Sequence, residues 1–134
     1  MIPGLFQSST IPALEQVVNF AQNRHTLLAG NIANANTPHY RVQDLSVETF
    51  QQRLKQAMET RHQPTSPGVR IDTQDDRMRE VRESMTSILY HDDSNVGLEQ
   101  QIAEISKNQS MHNMALTFMR GQFQLLEMAI NERL

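Results

Sequence analysis

The stretch 98–132, LEQQIAEISKNQSMHNMALTFMRGQFQLLEMAINE, decides the fold of this 134-residue chain. Its apolar positions are separated by alternating steps of four and three residues, which is the spacing of a helix with one apolar seam. At 1.5 Å per residue, a helix from Leu98 to about Glu132 is roughly 50 Å long. The seam positions of this C-terminal segment are Leu98, Ile102, Ile105, Gln109, His112, Leu116, Met119, Phe123, Leu126 and Ile130.

A second seam with the same spacing lies near the other end of the chain, over residues 12–36. Its members are Leu14, Val18, Ala21, His25, Leu28, Ile32 and Ala35. Thr10 is a suitable N-cap and Pro12 suits the first turn, whereas Asn36 before Thr37-Pro38 predicts the end of the helix. A single helix of this length is marginally stable, so the two seams predict an all-α fold in which both helices pack as an antiparallel, coiled-coil-like pair.

The rest of the chain predicts little regular structure. Residues 1–11 predict a flexible tail, and residues 37–97 an extended segment, a short helix and a mobile loop, before the C-terminal helix of 98–134. Within 37–97, Ser46 to Met58 has the spacing of a short amphipathic helix. Residues 72–83 mix both charge signs and favour a solvated, mobile stretch. The whole chain is predicted to form one domain.

Composition excludes several classes of function. The chain has no cysteine, a net charge of −3 and no apolar run near the roughly 18 residues that span a bilayer. A disulfide framework, a thiol nucleophile and a general nucleic-acid footprint are therefore excluded. Gln and Asn together number 23. We interpret them mainly as helix formers on solvated faces, with polar packing against partners as the alternative.

No set of residues predicts catalysis, a cofactor site or a metal site. The five histidines are scattered, and no metalloprotease, nucleotide-binding or serine-hydrolase motif is present. His25 and His112 fall on the two seams. We favour the interpretation that each is a hydrogen-bonded polar residue that sets register, and a pH-sensitive role is the alternative. The sequence therefore predicts that the protein is not an enzyme.

Two segments resemble the bacterial flagellar axial proteins of the rod and hook. Residues 27–50, LLAGNIANANTPHYRVQDLSVETF, are similar to the N-terminal motif L-A-x-N-I-A-N-A-x-T-P-G-Y of that family. His39 stands where the family has Gly, which predicts a less sharply turned backbone after Pro38. Residues 94–130 resemble the C-terminal part of the short rod proteins of the family. The matching positions in the two segments are Leu28, Ala29, Asn31, Ile32, Ala33, Asn34, Ala35, Thr37, Pro38 and Tyr40, then Asn95, Val96, Glu99, Leu126, Ala129 and Ile130.

The resemblance implies a structural subunit of the proximal rod of the flagellar basal body. It implies export from the cytoplasm by the flagellar type III apparatus and assembly in the periplasm. The implied partners are other rod proteins, further copies of the chain and the adaptor at the membrane ring. A soluble helical adaptor or chaperone-like binding module is the alternative, because seamed helices rich in methionine also bind partner helices.

The motif itself offers candidate interface residues. Asn31 and Asn34 lie one turn apart and are predicted to contact the helix pair or a neighbouring subunit, with helix capping as the alternative. Thr37-Pro38 forces an extended exit, and Tyr40 combines an apolar ring with a polar tip. We expect Asn31, Asn34, Thr37, Pro38 and Tyr40 to serve assembly more than folding of the monomer.

Overall fold

The computed structural model describes residues 9–59, 74–92 and 97–132. Four helices and a two-stranded antiparallel ribbon follow one another along the chain. They are α1 (Ile11–Ala33), β1 (Val42–Leu45), α2 (Val47–Glu59), α3 (Gln74–Glu83), a 3-10 turn (Ser84–Thr86), β2 (Leu89–Asp92) and α4 (Leu98–Asn131). Residues 1–8 of the predicted tail lie outside the described residues. The predicted loop around residues 60–73 also lies outside them.

The first and last helices form the antiparallel pair that the two seams predict. Three cross-helix hydrogen bonds fix the direction. Asn108 Nδ2 donates to the Ala21 carbonyl at 2.6 Å, Arg24 donates to Glu104 at 2.9 Å, and Asn31 donates to Gln101 at 3.1 Å. Partner numbers in α4 fall as those in α1 rise, so the helices run in opposite directions and the all-α prediction is confirmed.

The register of this pair leaves the end of α4 without a partner in α1. Cross-helix partners sum to about 130, so Ile11, the first residue of α1, lies opposite residues near 119. The last dozen or so residues of α4 therefore extend past α1 by roughly 18 Å. We call residues 120–131 the projecting end.

The contact face of α4 differs from the predicted seam. Its buried residues are Gln101, Asn108 and Ala115, which recur every seven positions directly before predicted seam residues. Among the predicted seam residues, Ala21 and Leu28 are buried, and Leu14, Val18, Ile32, Ile105, His112, Leu116, Met119 and Leu126 are half-buried. The remaining ones are exposed, namely His25, Ala35, Leu98, Ile102, Gln109, Phe123 and Ile130. Small and amide side chains allow closer approach of α1, so the true seam is rotated by about one position.

The main apolar core lies beside the helix pair rather than within it. Phe20 of α1 stacks on Phe50 of α2 with ring centroids 4.1 Å apart. Helix α3, the 3-10 turn and the ribbon complete the cluster, in which Leu45, Val81, Met85 and Ile88 are buried. Packed aromatic and aliphatic side chains of this kind each stabilise a fold by about 1.5–3 kcal/mol.

The middle of the chain contains more structure than its composition predicts. Helix α2 falls where the sequence predicts it, and Ser46 caps it by accepting a hydrogen bond from the Thr49 N–H at 3.2 Å. The prediction of a solvated, mobile stretch over 72–83 is wrong for residues 74–83, which form α3. Met78 and Val81, three positions apart, are both buried. These two apolar residues suffice to hold a short helix on the core despite its many charges.

The ends of α1 also differ in detail from the prediction. Thr10 occupies the N-cap position, but its side chain makes no capping hydrogen bond, and Pro12 lies in the first turn as predicted. The helix ends at Ala33 rather than near Asn36, since Asn34 caps it. The expectation of a less sharply turned backbone after Pro38 is wrong. His39 adopts a left-handed conformation with φ 61°, which is the conformation that Gly favours.

Candidate assembly surface

Asn31 connects three elements of the fold. Its Nδ2 donates to the Gln43 carbonyl at 2.7 Å and to Gln101 Oε1 at 3.1 Å. Its Oδ1 accepts from the Gln43 N–H at 3.1 Å and from the Tyr40 hydroxyl at 3.2 Å. With 3% of its surface exposed, Asn31 thus joins α1, β1 with the segment just before it, and α4. The prediction of a contact within the helix pair is confirmed for this residue.

Asn34 has the capping role that was the alternative prediction for this residue. Its Nδ2 donates to the Gly30 carbonyl at 2.8 Å, and its Oδ1 accepts from the Thr37 hydroxyl at 3.3 Å. The Thr37 N–H donates to the Asn34 carbonyl at 2.9 Å. These bonds satisfy the end of α1 and fold the chain into a tight turn.

The turn that follows is the most exposed part of the motif. Residues 35–39 are all exposed, and Tyr40, which closes the turn, is half-buried. The Tyr40 N–H donates to the Thr37 carbonyl at 3.3 Å, and its hydroxyl donates to Asn31. Asn31, Asn34 and Tyr40 therefore shape the turn from within, and Thr37 and Pro38 lie on its surface. We call residues 35–39 the exposed turn.

A buried ion cluster holds the ribbon against the helix pair. Arg24 makes a bidentate contact with Asp44, with both distances 2.8 Å, and a third contact with Glu104 at 2.9 Å. Burial disfavours the charge on Arg24, but its hydrogen bonds to Asp44 and Glu104 outweigh that cost and raise its pKa. Hydrogen bonds from Lys107 and then from Arg24 lower the pKa of Glu104. The cluster joins α1, β1 and α4 at one point.

The projecting end carries a concentration of exposed apolar side chains. Phe123, Leu125, Met128 and Ile130 each have between 46% and 56% of their surface exposed. Phe118, just before the projecting end, is 58% exposed. Together with the exposed turn at the opposite end of the helix pair, this gives the molecule two chemically different ends.

Sequence reasoning missed the polar residues that join these elements. Arg24, Asp44, Gln43 and Gln101 are not among the predicted seam or interface residues, because the seams are defined by apolar positions. The seven-residue spacing of Gln101 and Asn108 was the available signal. Amides at heptad positions pair across a helix interface, and this pattern runs one position before the apolar one.

No helix in the described parts of the chain is both long and apolar enough to cross a membrane. Over those same ranges, no group of three or more His, Asp or Glu side chains is placed to hold a metal ion.

Comparison with known proteins identifies a relative. The chain is 29% identical over 119 residues to the flagellar basal body rod protein FlgB of Aquifex aeolicus (strain VF5). The match covers 89% of this chain and 90% of the relative, so the two proteins correspond over nearly their full lengths. No protein-family model matches the chain. No solved structure matches it either.

Proposed function

We propose that the protein is a structural subunit of the rod of the bacterial flagellar basal body. The similarity to FlgB, a flagellar basal body rod protein, over 89% of the chain supports this function. The resemblance of residues 27–50 to the axial-protein motif agrees with it. In this proposal the chain reaches the periplasm through the flagellar type III apparatus, and it binds other rod proteins, copies of itself and the adaptor at the membrane ring.

The observation that carries the proposal is the projecting end of α4. A monomer that keeps Phe123, Leu125 and Ile130 about half exposed retains apolar surface that a neighbouring helix can bury. Nearly 20 Å of helix without a partner in α1 is long enough to form about three turns of a two-helix contact. We propose that terminal helices of neighbouring subunits cover this surface in the rod.

The second element of the proposal is the exposed turn. It lies at the end of the helix pair opposite the projecting end, so the two surfaces differ in both chemistry and position. Contacts between unlike surfaces of successive subunits generate open helical assemblies when the rotation does not close, and a rod is such an assembly. We propose that Thr37 and Pro38 contact the neighbour directly, whereas Asn31, Asn34 and Tyr40 hold the turn in the required shape.

The direct test is genetic. Deletion of the gene for this chain in its own bacterium is expected to abolish motility and leave no complete basal bodies in electron micrographs. Wild-type protein should restore both. Normal basal bodies in the deletion strain would contradict the proposal and favour the adaptor alternative.

A variant of the exposed turn tests the proposed interface without disturbing the core. Thr37→Lys places a long charged side chain on the turn, and it is expected to block rod formation while the monomer melts within a few degrees of wild type. Gln52→Lys, on the exposed face of α2, is the matched control and should restore motility. Full motility with Thr37→Lys would contradict the proposal that the exposed turn contacts a neighbouring subunit.

A further inference from the structure

A cleft in the middle of the helix pair brings two histidines together. It has a volume of about 260 Å³ and is lined by Ala21, Gln22, His25, Asn108, Gln109 and His112. His25 comes from α1 and His112 from α4. The cleft lies where Asn108 Nδ2 donates to the Ala21 carbonyl at 2.6 Å, the closest cross-helix hydrogen bond.

The antiparallel arrangement places His25 and His112 on either side of this hydrogen bond, and both line the cleft. His25 lies one turn after Ala21 in α1, and His112 lies one turn after Asn108 in α4. Side chains of a helix lean toward its N-terminus, so His25 leans back toward Ala21 and His112 leans back toward Asn108. Because the helices run in opposite directions, this lean brings both side chains toward the cleft that they line.

Two buried polar atoms at this cleft have no hydrogen-bond partner among the described residues. They are Nδ1 of His112 and Oδ1 of Asn108. Asn108 has only 1% of its surface exposed, and its amide nitrogen is already used by Ala21. Gln16, which does not line the cleft, has two more. Buried polar atoms without partners are costly, so the two at this cleft are free to bind a group that the chain itself does not supply.

We propose that the cleft binds a divalent transition-metal ion through His25, His112 and Oδ1 of Asn108. Two imidazole nitrogens and one amide oxygen suit an ion of intermediate softness such as Zn²⁺, Ni²⁺ or Cu²⁺, with water in the remaining positions. The ion bridges α1 and α4, so its binding stabilises the helix pair by mass action. This proposal does not depend on the rod function proposed above. It departs from the sequence analysis, which predicts no metal site.

Titration of the untagged full-length protein with ZnCl₂ tests the site. Calorimetry is expected to show one equivalent bound, and the melting temperature is expected to rise with metal concentration. Loss of a metal-site residue commonly weakens affinity by about tenfold or more, so His25→Gln and His112→Gln should each do so. His91→Gln, a histidine of β2 outside the cleft, is the matched control and should bind as wild type does.

The choice of His25 keeps the test decisive, because His25 is exposed and its replacement is not expected to impair folding. A spectroscopic measurement then identifies the ligands. Paramagnetic resonance of the Cu²⁺ complex should show coupling to two imidazole nitrogens in wild type and to one in His25→Gln. Absence of zinc binding by wild type would overturn the site, as would equal affinity or an unchanged copper spectrum in His25→Gln.

Discussion

The two parts of α4 differ in what they leave for another molecule. Residues 98–118 lie along α1, with their amides buried against it, and Arg24, Asn31 and Ala21 of α1 all bond to this part. Residues 120–131 extend beyond α1, and they expose large apolar side chains at a higher density than residues 98–118 do. We call residues 98–118 of α4 the paired part. Buried amides in the paired part fix the register of the two helices. The exposed apolar side chains of the projecting end support our proposal that this end serves assembly, whereas the paired part serves folding.

The largest expected effect on monomer stability is loss of Arg24, the buried cation of α1 that bonds to the paired part. Arg24→Ala leaves the Asp44 and Glu104 carboxylates without their common partner, and breaking such a buried pair costs about 3–5 kcal/mol. Arg120→Ala, exposed at the start of the projecting end, should change the free energy of unfolding by less than about 0.5 kcal/mol. Urea denaturation followed by circular dichroism measures both. Equal stabilities of the two variants would contradict the claim that contacts of residues 98–118 stabilise the monomer more than residues 120–131 do.

An apolar pair of variants probes the same distinction. Leu28→Ala empties a fully buried position in α1 and is expected to cost about 2–5 kcal/mol. Leu125→Ala removes a side chain that is 56% exposed, and we expect it to leave monomer stability within about 0.5 kcal/mol of wild type. Thermal melting of the two variants checks this. A comparable loss for Leu125→Ala would mean that the projecting end is packed in the monomer.

Replacement of Asn31, whose amide bonds to Gln43 and Gln101, should have an intermediate effect on the free energy of unfolding. Asn31→Ala leaves the partly buried Gln43 N–H and carbonyl without their side-chain partner, which costs about 1–3 kcal/mol. Asn34→Ala removes a helix cap that is half-buried and should cost less, about 1 kcal/mol. Chemical denaturation of both variants measures the order. A smaller loss for Asn31→Ala than for Asn34→Ala would contradict the joining role of Asn31.

The ion cluster predicts a small dependence on pH. The pKa of Glu104 is lowered in the folded state, so its ionised form contributes stability above the unfolded value near 4.5, and this contribution is lost as pH falls through the folded value. Glu104→Gln is therefore expected to be less stable than wild type at pH 7, by under about 1 kcal/mol because the side chain is partly exposed. The difference should shrink as the pH falls below 4.5. A difference that grows on acidification would show the opposite linkage.

Helices α1 and α4 were predictable from the sequence, because the helical spacing of apolar residues around Leu28 and Leu116 is a local signal. The face of α4 that contacts α1 was not predictable, since the spacing of apolar residues does not reveal where Gln101 and Asn108 allow closer approach. Helix α3 was missed because two apolar residues, Met78 and Val81, are too few to outweigh its charges in a composition argument. The roles of Asn31 and Asn34 could be narrowed to alternatives, but only the fold shows which carbonyl each amide reaches.

The division of α4 is tested most directly by measuring folding and assembly on the same variants. Phe123→Gln with Ile130→Gln makes the projecting end polar on one face, and Met58→Gln with Met114→Gln removes comparable exposed apolar surface elsewhere. We expect both double variants to melt as wild type does. Only the first should fail to form basal bodies and restore motility in a strain that lacks the gene. Normal basal bodies with Phe123→Gln and Ile130→Gln would contradict the central claim, as would a large loss of monomer stability in that variant.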